Sequence, residues 1–378
     1  NQPEHFRLSS SIGYQNLKWY LSYQPKYNHS IDAGINAIRY EISPGMVRPF
    51  GEMSHIAARD MQTEYGLELS AFISDDIEIS DRFSVDVGLR YTQYLQLGPS
   101  RVFVYDENLP RSPQSIIDTL HYLSGDIVSR YGGLEPRIGM RYSLGQSSSV
   151  KLSYNRINQY INLISNTAIM APVDVWKLAD PHLKPLQSDQ FALGYFRNFL
   201  NNTLETSIEA YYKGMNNAIE YKSGAEIMMN ETLEADVINA RGYNYGLEFY
   251  IRKNSGRLTG WTSYTWSVSQ RRTRSSFAQD QINNNTWFPS NYARPHNLVI
   301  NTTFQASRRW RFGGTFTYNT GRPVTLPELA YVHGGNLLVH YSDRNKYRLP
   351  DFHRLDISIT LDGNLRTDRR GKGSWTLS

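Results

Sequence analysis

Glu205 and Glu209 are the two carboxylates whose spacing first suggests acid–base work. They lie in Thr203–Lys213, TLETSIEAYYK, four residues apart on one face of a strand-like run. In a strand that puts their Cα atoms about 13 Å apart, too far for a glycosidase pair unless the side chains converge. They read as solvated charge. Asp75 and Asp76 are adjacent and therefore point to opposite faces, as expected of a strand end at a rim. His333 and His340 are close in sequence, but no Cys, His or Asp cluster has metal-ligand spacing, and neither a metal nor a cofactor is expected. His296, in ARPHN, reads as a strand start. Arg271-Arg272-Thr273-Arg274 is the one short basic cluster, a pattern suited to phosphate oxygens but more often simply solvated. There is no Gly-x-Ser-x-Gly, His-Glu-x-x-His, P-loop or dinucleotide fingerprint, so the chain is not expected to be an enzyme.

The elements that carry these residues repeat with a period of two. In Thr203–Lys213, Leu204, Thr206, Ile208, Ala210 and Tyr212 face one way; Glu205, Ser207, Glu209, Tyr211 and Lys213 face the other. Asp81–Thr92 does the same, with Phe83, Val85, Val87, Leu89 and Tyr91 opposite Ser84, Asp86, Gly88, Arg90 and Thr92. About fifteen strands are predicted, at 5–14, 17–25, 29–42, 65–78, 82–95, 134–144, 149–160, 188–200, 203–221, 241–254, 257–272, 293–306, 309–320, 351–361 and 372–378. Twelve residues at roughly 3.3 Å each, tilted about 40°, span close to bilayer height. Short turns near Ile79-Ser80, 145–148, Asn201-Asn202, 254–256 and Ser307 alternate with long polar loops at 43–64, 96–133, 161–187, 222–240, 273–292 and 321–350. An up-and-down membrane barrel alternates its connections in this way, and a Greek-key sandwich does not. A turn predicted near Gln15-Asn16 breaks the alternation.

Composition agrees. The 378 residues are 40% hydrophobic, 13% aromatic and devoid of cysteine, with a net charge of +5. That is too polar for a conventional large core, yet too aromatic for disorder. It excludes a disulfide framework and lacks the clustered basic face of a nucleic-acid binder, so no nucleic-acid partner is expected. A barrel with an oily outside and a wet lumen accounts for both.

Several stretches, in this order, resemble the barrel region of TonB-dependent outer-membrane receptors of Bacteroidetes type. They are Leu134-Glu135-Pro136-Arg137 leading to Arg141-Tyr142, Val150–Tyr154 with Gln159-Tyr160, Leu183-Lys184-Pro185 with Ser188-Asp189-Gln190, Gly242–Glu248, Gly260-Trp261, Tyr292–Asn297 and Tyr318–Pro323. Ala293 stands where the resemblance leads one to expect an acidic residue. The resemblance covers nearly all of 1–378 and implies an all-β, large antiparallel up-and-down transmembrane β-barrel. About fifteen of roughly 22 expected strands lie in this chain. It also implies a plug domain and last strand or strands outside this chain, and a place in the bacterial outer membrane. Ser378 falls within an apparent strand, so the chain is read as a partial receptor.

Two functions follow from the resemblance. One is import of a scarce or bulky nutrient, driven by the proton-motive force through the TonB complex and a plug. Trp176, Trp287 and Tyr331 in the long loops are then the candidate ligand contacts, although an aromatic in such a loop more often serves loop packing. The alternative is a non-transporting barrel serving as a structural subunit of an outer-membrane complex. Expected partners are membrane lipid and lipopolysaccharide, which Arg271–Arg274 would meet at a loop base, and a surface-exposed lipoprotein.

Overall fold

The computed structural model describes residues 5–50, 55, 57–164, 174–363 and 373–378. Parts of the predicted loops 43–64 and 161–187, and residue 372 of the last predicted strand, lie outside the described residues. Most of the described residues are in strands. A 16-stranded antiparallel sheet follows chain order, and two of its members, Arg59–Asp60 and Phe288–Pro289, are two-residue strands off the main path. The fourteen strands of that path are β1 (Phe6–Lys26), β2 (His29–Pro49), β3 (Glu64–Ser80), β4 (Phe83–Leu97), β5 (Ile127–Gly145), β6 (Ser148–Gln159) and β7 (Leu186–Phe199), then β8 (Leu204–Tyr221), β9 (Val237–Lys253), β10 (Leu258–Arg272), β11 (His296–Gln305), β12 (Trp310–Asn319), β13 (Phe352–Asp362) and β14 (Ser374–Leu377).

The first two predicted strands are one. Gln15 pairs with Arg39 and Asn16 with Ile38, so the ladder continues where a turn was expected. The first turn is at Tyr27-Asn28. With that correction short and long connections alternate from β1 to β13.

Register makes the faces explicit. Across neighbouring strands Ile73 pairs with Leu89, Leu152 with Leu193, Leu193 with Ala210, and Ala210 with Leu247. This outward surface is exposed; Ile73 is 56% and Leu193 52% accessible. Continuous apolar area on that scale is stable only against hydrocarbon. The inward rows carry Asp76 opposite Asp86, Ser84 opposite Arg141, and Glu209 opposite Glu248. A one-residue slip of any strand would exchange the two faces, so the lipid itself fixes the register.

The strands are longer than the membrane needs. β8 has 18 residues, about 60 Å of chain at roughly 3.3 Å per residue. Its short-turn end is open, whereas Met215, Ala218, Glu220 and Tyr221 at its long-loop end are buried. Buried apolar clusters accordingly occupy the barrel mouth. One joins Ile164, Val175, Leu183, Tyr221, Leu233 and Val237; the other joins Ile42, Tyr94, Tyr160, Leu178 and Ala179. The loops also carry structure of their own. Ser100–Tyr105 pairs with Ile116–Tyr122, Ile161–Ile164 with Val175–Leu178, and Pro327–His333 with Asn336–Tyr341.

Candidate functional site at the loop end of the barrel

The Ile161–Ile164/Val175–Leu178 hairpin and the segment after it are drawn into the mouth by a buried charge cluster. Lys177 Nζ donates to Glu64 Oε1 at 2.6 Å and lies 2.9 Å from Asp180 Oδ2. Asp180 Oδ1 accepts the backbone N–H groups of His182 and Leu183, and Glu64 Oε2 accepts that of Leu178. Burial alone would discharge both Lys177 and Asp180. Instead Asp180 and Glu64 hold the ammonium well above the ordinary lysine range. Lys177 and the two amides hold Asp180 below the ordinary carboxylate range. Tyrosines close the surround. The Tyr94 ring stacks on Tyr160 at 4.9 Å, while Tyr94 and Tyr131 donate to the carbonyls of Ala179 and Asp180. His182 Nε2 meets the Phe103 carbonyl, and Tyr105 donates to Glu234. The cavity beside this cluster, lined by Arg101, Lys177, His182 and Glu234 among others, is about 80 Å³. That holds a few waters and is far below the several hundred Å³ of ordinary ligand pockets. The cluster therefore ties loops to barrel.

Space for a ligand lies elsewhere in the mouth. A cleft of about 510 Å³ is lined by Tyr221, Lys222, Asn291, Arg322, Thr325, Arg344 and Asn345. Its walls come from three long loops locked together. Arg344 Nη2 donates to the Tyr221 carbonyl, and Asn345 Nδ2 donates to Pro289 O and Asn291 Oδ1. The Asn283 amide side chain both donates to the Arg344 carbonyl and accepts its N–H. Further down the lumen, cavities of about 390 and 240 Å³ are lined by mixed charge, including Asp76, Arg141, Lys151 and Glu209 in one, Lys18, Arg90 and Glu135 in the other.

Trp176, Trp287 and Tyr331 sit on three separate loops. Trp176, in Val175–Leu178, is half-buried against the Tyr94–Tyr160 cluster. Trp287 lies against Arg272 and Tyr243 at 4.7 and 4.6 Å, on the outward side of the sheet. Tyr331, 48% exposed, stands on the Pro327–His333/Asn336–Tyr341 hairpin opposite Leu338. His333 and His340 occupy different rungs of that hairpin, opposite Asn336 and Leu329. Lys177, Glu64, Asp180 and Arg344 went unremarked in the sequence. One signal was available: Asp-Pro-His-Leu at 180–183 permits the turn in which an Asp side chain caps the next amides.

The family model described as "TonB dependent receptor-like, beta-barrel" matches residues 5–378. A comparison with curated proteins finds no match. Among solved structures the chain resembles the pyoverdine receptor FpvA of P. aeruginosa (14% identity, TM-score 0.59, covering 94% of this chain and 43% of that one). It also resembles the FrpB iron transporter of Neisseria meningitidis (14%, 0.58, 93% and 48%) and the ferric-catecholate import receptor Fiu of E. coli K12 (13%, 0.56, 95% and 49%). The chain thus spans under half the length of these structures, and at such identity the likeness is one of fold. With the strands oily over most of their outward surface and largely polar within, and with this match over nearly all its length, the chain belongs to the TonB-dependent receptor β-barrel family of the bacterial outer membrane.

Proposed function

We propose that this barrel imports a bulky, polar ligand, captured at the loop end and passed down the charged lumen. The reading rests on the cleft of about 510 Å³ among Lys222, Arg322 and Arg344, in the size range of a ligand pocket, above lumen walls lined with charge of both signs. Tyr331 is proposed as a first contact on its projecting hairpin, and Trp176 as a wall of the mouth. Energy would come from TonB acting on a plug seated in the lumen, as the family name implies. The neighbours named above are an iron transporter, a pyoverdine receptor and a ferric-catecholate receptor, so ferric chelates are the first cargo to try. Uptake of labelled ferric chelates is the test, in cells with and without TonB and in an Arg322→Ala variant. Loss of uptake without TonB, and a drop of about tenfold in the variant from the lost charge-assisted contact, support the proposal. Growth on every candidate nutrient that is indifferent to TonB would sink it and favour the structural-subunit alternative.

A further inference from the structure

Arginine occupies both faces of the sheet where β9 and β10 meet the long loops, and the two faces treat it differently. Arg271 points inward, where its Nε lies 3.9 Å from Glu220 Oε1. Arg272 points outward, directly opposite Arg241 in the antiparallel register, and Arg274 follows two residues on. Like charges opposite each other in a ladder repel. No carboxylate relieves them: among the described residues neither Arg241, Arg272 nor Arg274 forms an ion pair. The Arg272 Nε is buried with no hydrogen-bond partner. The other two arginines, Arg241 foremost and then Arg272, depress the basicity of Arg274, which lies beyond the end of β10. A neighbouring site shows what a completed pair looks like. On the same outward side Arg156 of β6 makes two hydrogen bonds to Asp189 of β7, at 2.7 and 3.2 Å.

The height of the cluster specifies its partner. Asp189 pairs across the sheet with Gly214, and Gly214 with Tyr243. Arg241 therefore sits one outward step nearer the loop end than that row. Below it runs a continuous aromatic patch, from Trp266 to Tyr245 (5.9 Å), Tyr243 (6.0 Å) and Trp287 (4.6 Å), and the Trp287 ring lies 4.7 Å from the Arg272 guanidinium. Outward aromatics at this end mark the interface between hydrocarbon and headgroups. Three uncompensated guanidinium groups immediately above them meet the plane of the headgroup phosphates, and guanidinium binds phosphate by parallel hydrogen bonds.

We propose that Arg241, Arg272 and Arg274, floored by Trp287 and Tyr243, form a site for a phosphorylated glycolipid of the outer leaflet. The phosphate completes the hydrogen bonding of Arg272 and neutralises the Arg241–Arg272 repulsion, while the acyl chains lie on the aromatic patch. Nothing in this inference depends on what the barrel transports.

The test uses native receptor in nanodiscs of neutral phospholipid, titrated with bis-phosphorylated lipid A, with the same lipid stripped of phosphate, and with millimolar inorganic phosphate as competitor. Binding of the phosphorylated lipid alone is expected, unaffected by inorganic phosphate. It should weaken on the order of a hundredfold when all three arginines are replaced by Gln, since each basic group near the surface contributes about a factor of five. Arg308→Gln with Arg309→Gln, at the opposite rim, should leave it unchanged. Equal retention of the stripped lipid, full competition by inorganic phosphate, or an unaltered triple variant would overturn the assignment. Should the triple variant fail to form a barrel, the single Arg272→Gln variant and the stripped-lipid arm decide the matter.

Discussion

Two hairpins at the loop end share a secondary structure and almost nothing else. In the first, Ile161–Ile164 with Val175–Leu178, half of the residues are buried: Ile164 is fully covered, and Leu178 is 1% and Val175 6% exposed. Groups from β3, β4 and β5 reach up to hold it, through Glu64, Tyr94 and Tyr131. In the second, Pro327–His333 with Asn336–Tyr341, every residue is exposed, and Leu329, Tyr331, Val332, Leu337 and Val339 present apolar surface on both sides. Its ties lie at the base, where Glu328 accepts from Lys346 and Tyr347 and the Ser342 N–H reaches the Leu326 carbonyl. Backbone pairing makes a hairpin in both places, but burial of its side chains decides whether it belongs to the wall. The first is part of the barrel's structure. The second is free to meet something outside it.

The sharpest way to break that contrast is to remove Lys177. Lys177→Met leaves Glu64 and Asp180 as buried carboxylates facing each other without a cation. Breaking a buried pair in this way costs about 3–5 kcal/mol. Denaturant unfolding in detergent should show a loss of that order, with the tied hairpin opening first. Replacing Leu337 by Ser on the projecting hairpin should change stability by less than about 0.5 kcal/mol, as for other exposed sites. Equal effects of the two changes would erase the distinction.

Acidity and alkalinity should separate the hairpins next. Asp180 is held below its ordinary pKa of about 3.9. Its contribution is complete above that value and is lost as pH falls through the lower, folded-state pKa. Lys177 is held above its ordinary pKa of about 10.4. Its contribution is complete below that value and is lost as pH rises through the higher, folded-state pKa. Amides of 175–183 should therefore exchange slowly across the neutral range and lose protection in strong acid and in strong base. Residues 327–341, with no such buried pair, should be weakly protected, with a pH dependence that follows intrinsic chemistry alone. Hydrogen exchange resolved by segment distinguishes the two, and strong protection of both would contradict the comparison.

The barrel was legible in the sequence because lipid imposes one simple demand on every strand, and that demand repeats every second residue. Thr203–Lys213 displays it, and the observed faces of β8 are the ones its pattern predicts. Gln15-Asn16 misled because polar residues in mid-strand resemble a turn, yet one side of a barrel wall tolerates them within a continuous ladder. The mouth was far less legible. Lys177, Glu64 and Asp180 come from positions 64, 177 and 180, and no local spacing encodes a meeting that depends on how the loops fold inward. The projecting hairpin was missed as well, since it falls within what reads as the long polar loop 321–350, although its signal was present. Leu329–His340 carries apolar runs on both sides of Gly334-Gly335, a two-residue hairpin signature.

Recognition should divide the hairpins in the opposite sense from stability. If the projecting hairpin makes the first contact with cargo, Tyr331→Ala should reduce ligand binding by roughly tenfold, the loss of one well-placed aromatic, and leave unfolding unchanged. Trp176→Ala removes a half-buried ring from the Tyr94–Tyr160 cluster. It should cost stability, by about 3 kcal/mol for a large aromatic packed in a core, before it changes affinity. Paired measurements of binding and unfolding on both variants test this. A destabilised Tyr331→Ala protein would show that the projecting hairpin is held by contacts beyond its base.

The smallest expected effect concerns the turn that shapes the projecting hairpin. Gly334 and Gly335 have φ of 58° and 84°, in the left-handed region, and a Cβ on either would meet no atom within 4 Å. Space is therefore not the obstacle to a larger residue; backbone strain is. Alanine at both positions should cost about 1 kcal/mol each, spent entirely on the local pairing of Tyr331 with Leu338 and its neighbours. Since that hairpin contributes little to the barrel, global unfolding should not move. The strain should appear instead as lost β-pairing in residues 327–341, seen by NMR of the receptor in detergent, and as weaker ligand capture. Asn-Gly at the same two positions, which tolerates that backbone, should restore both. A global destabilisation by the double alanine variant would mean that the hairpin is built into the wall after all, and the two hairpins would no longer differ in kind.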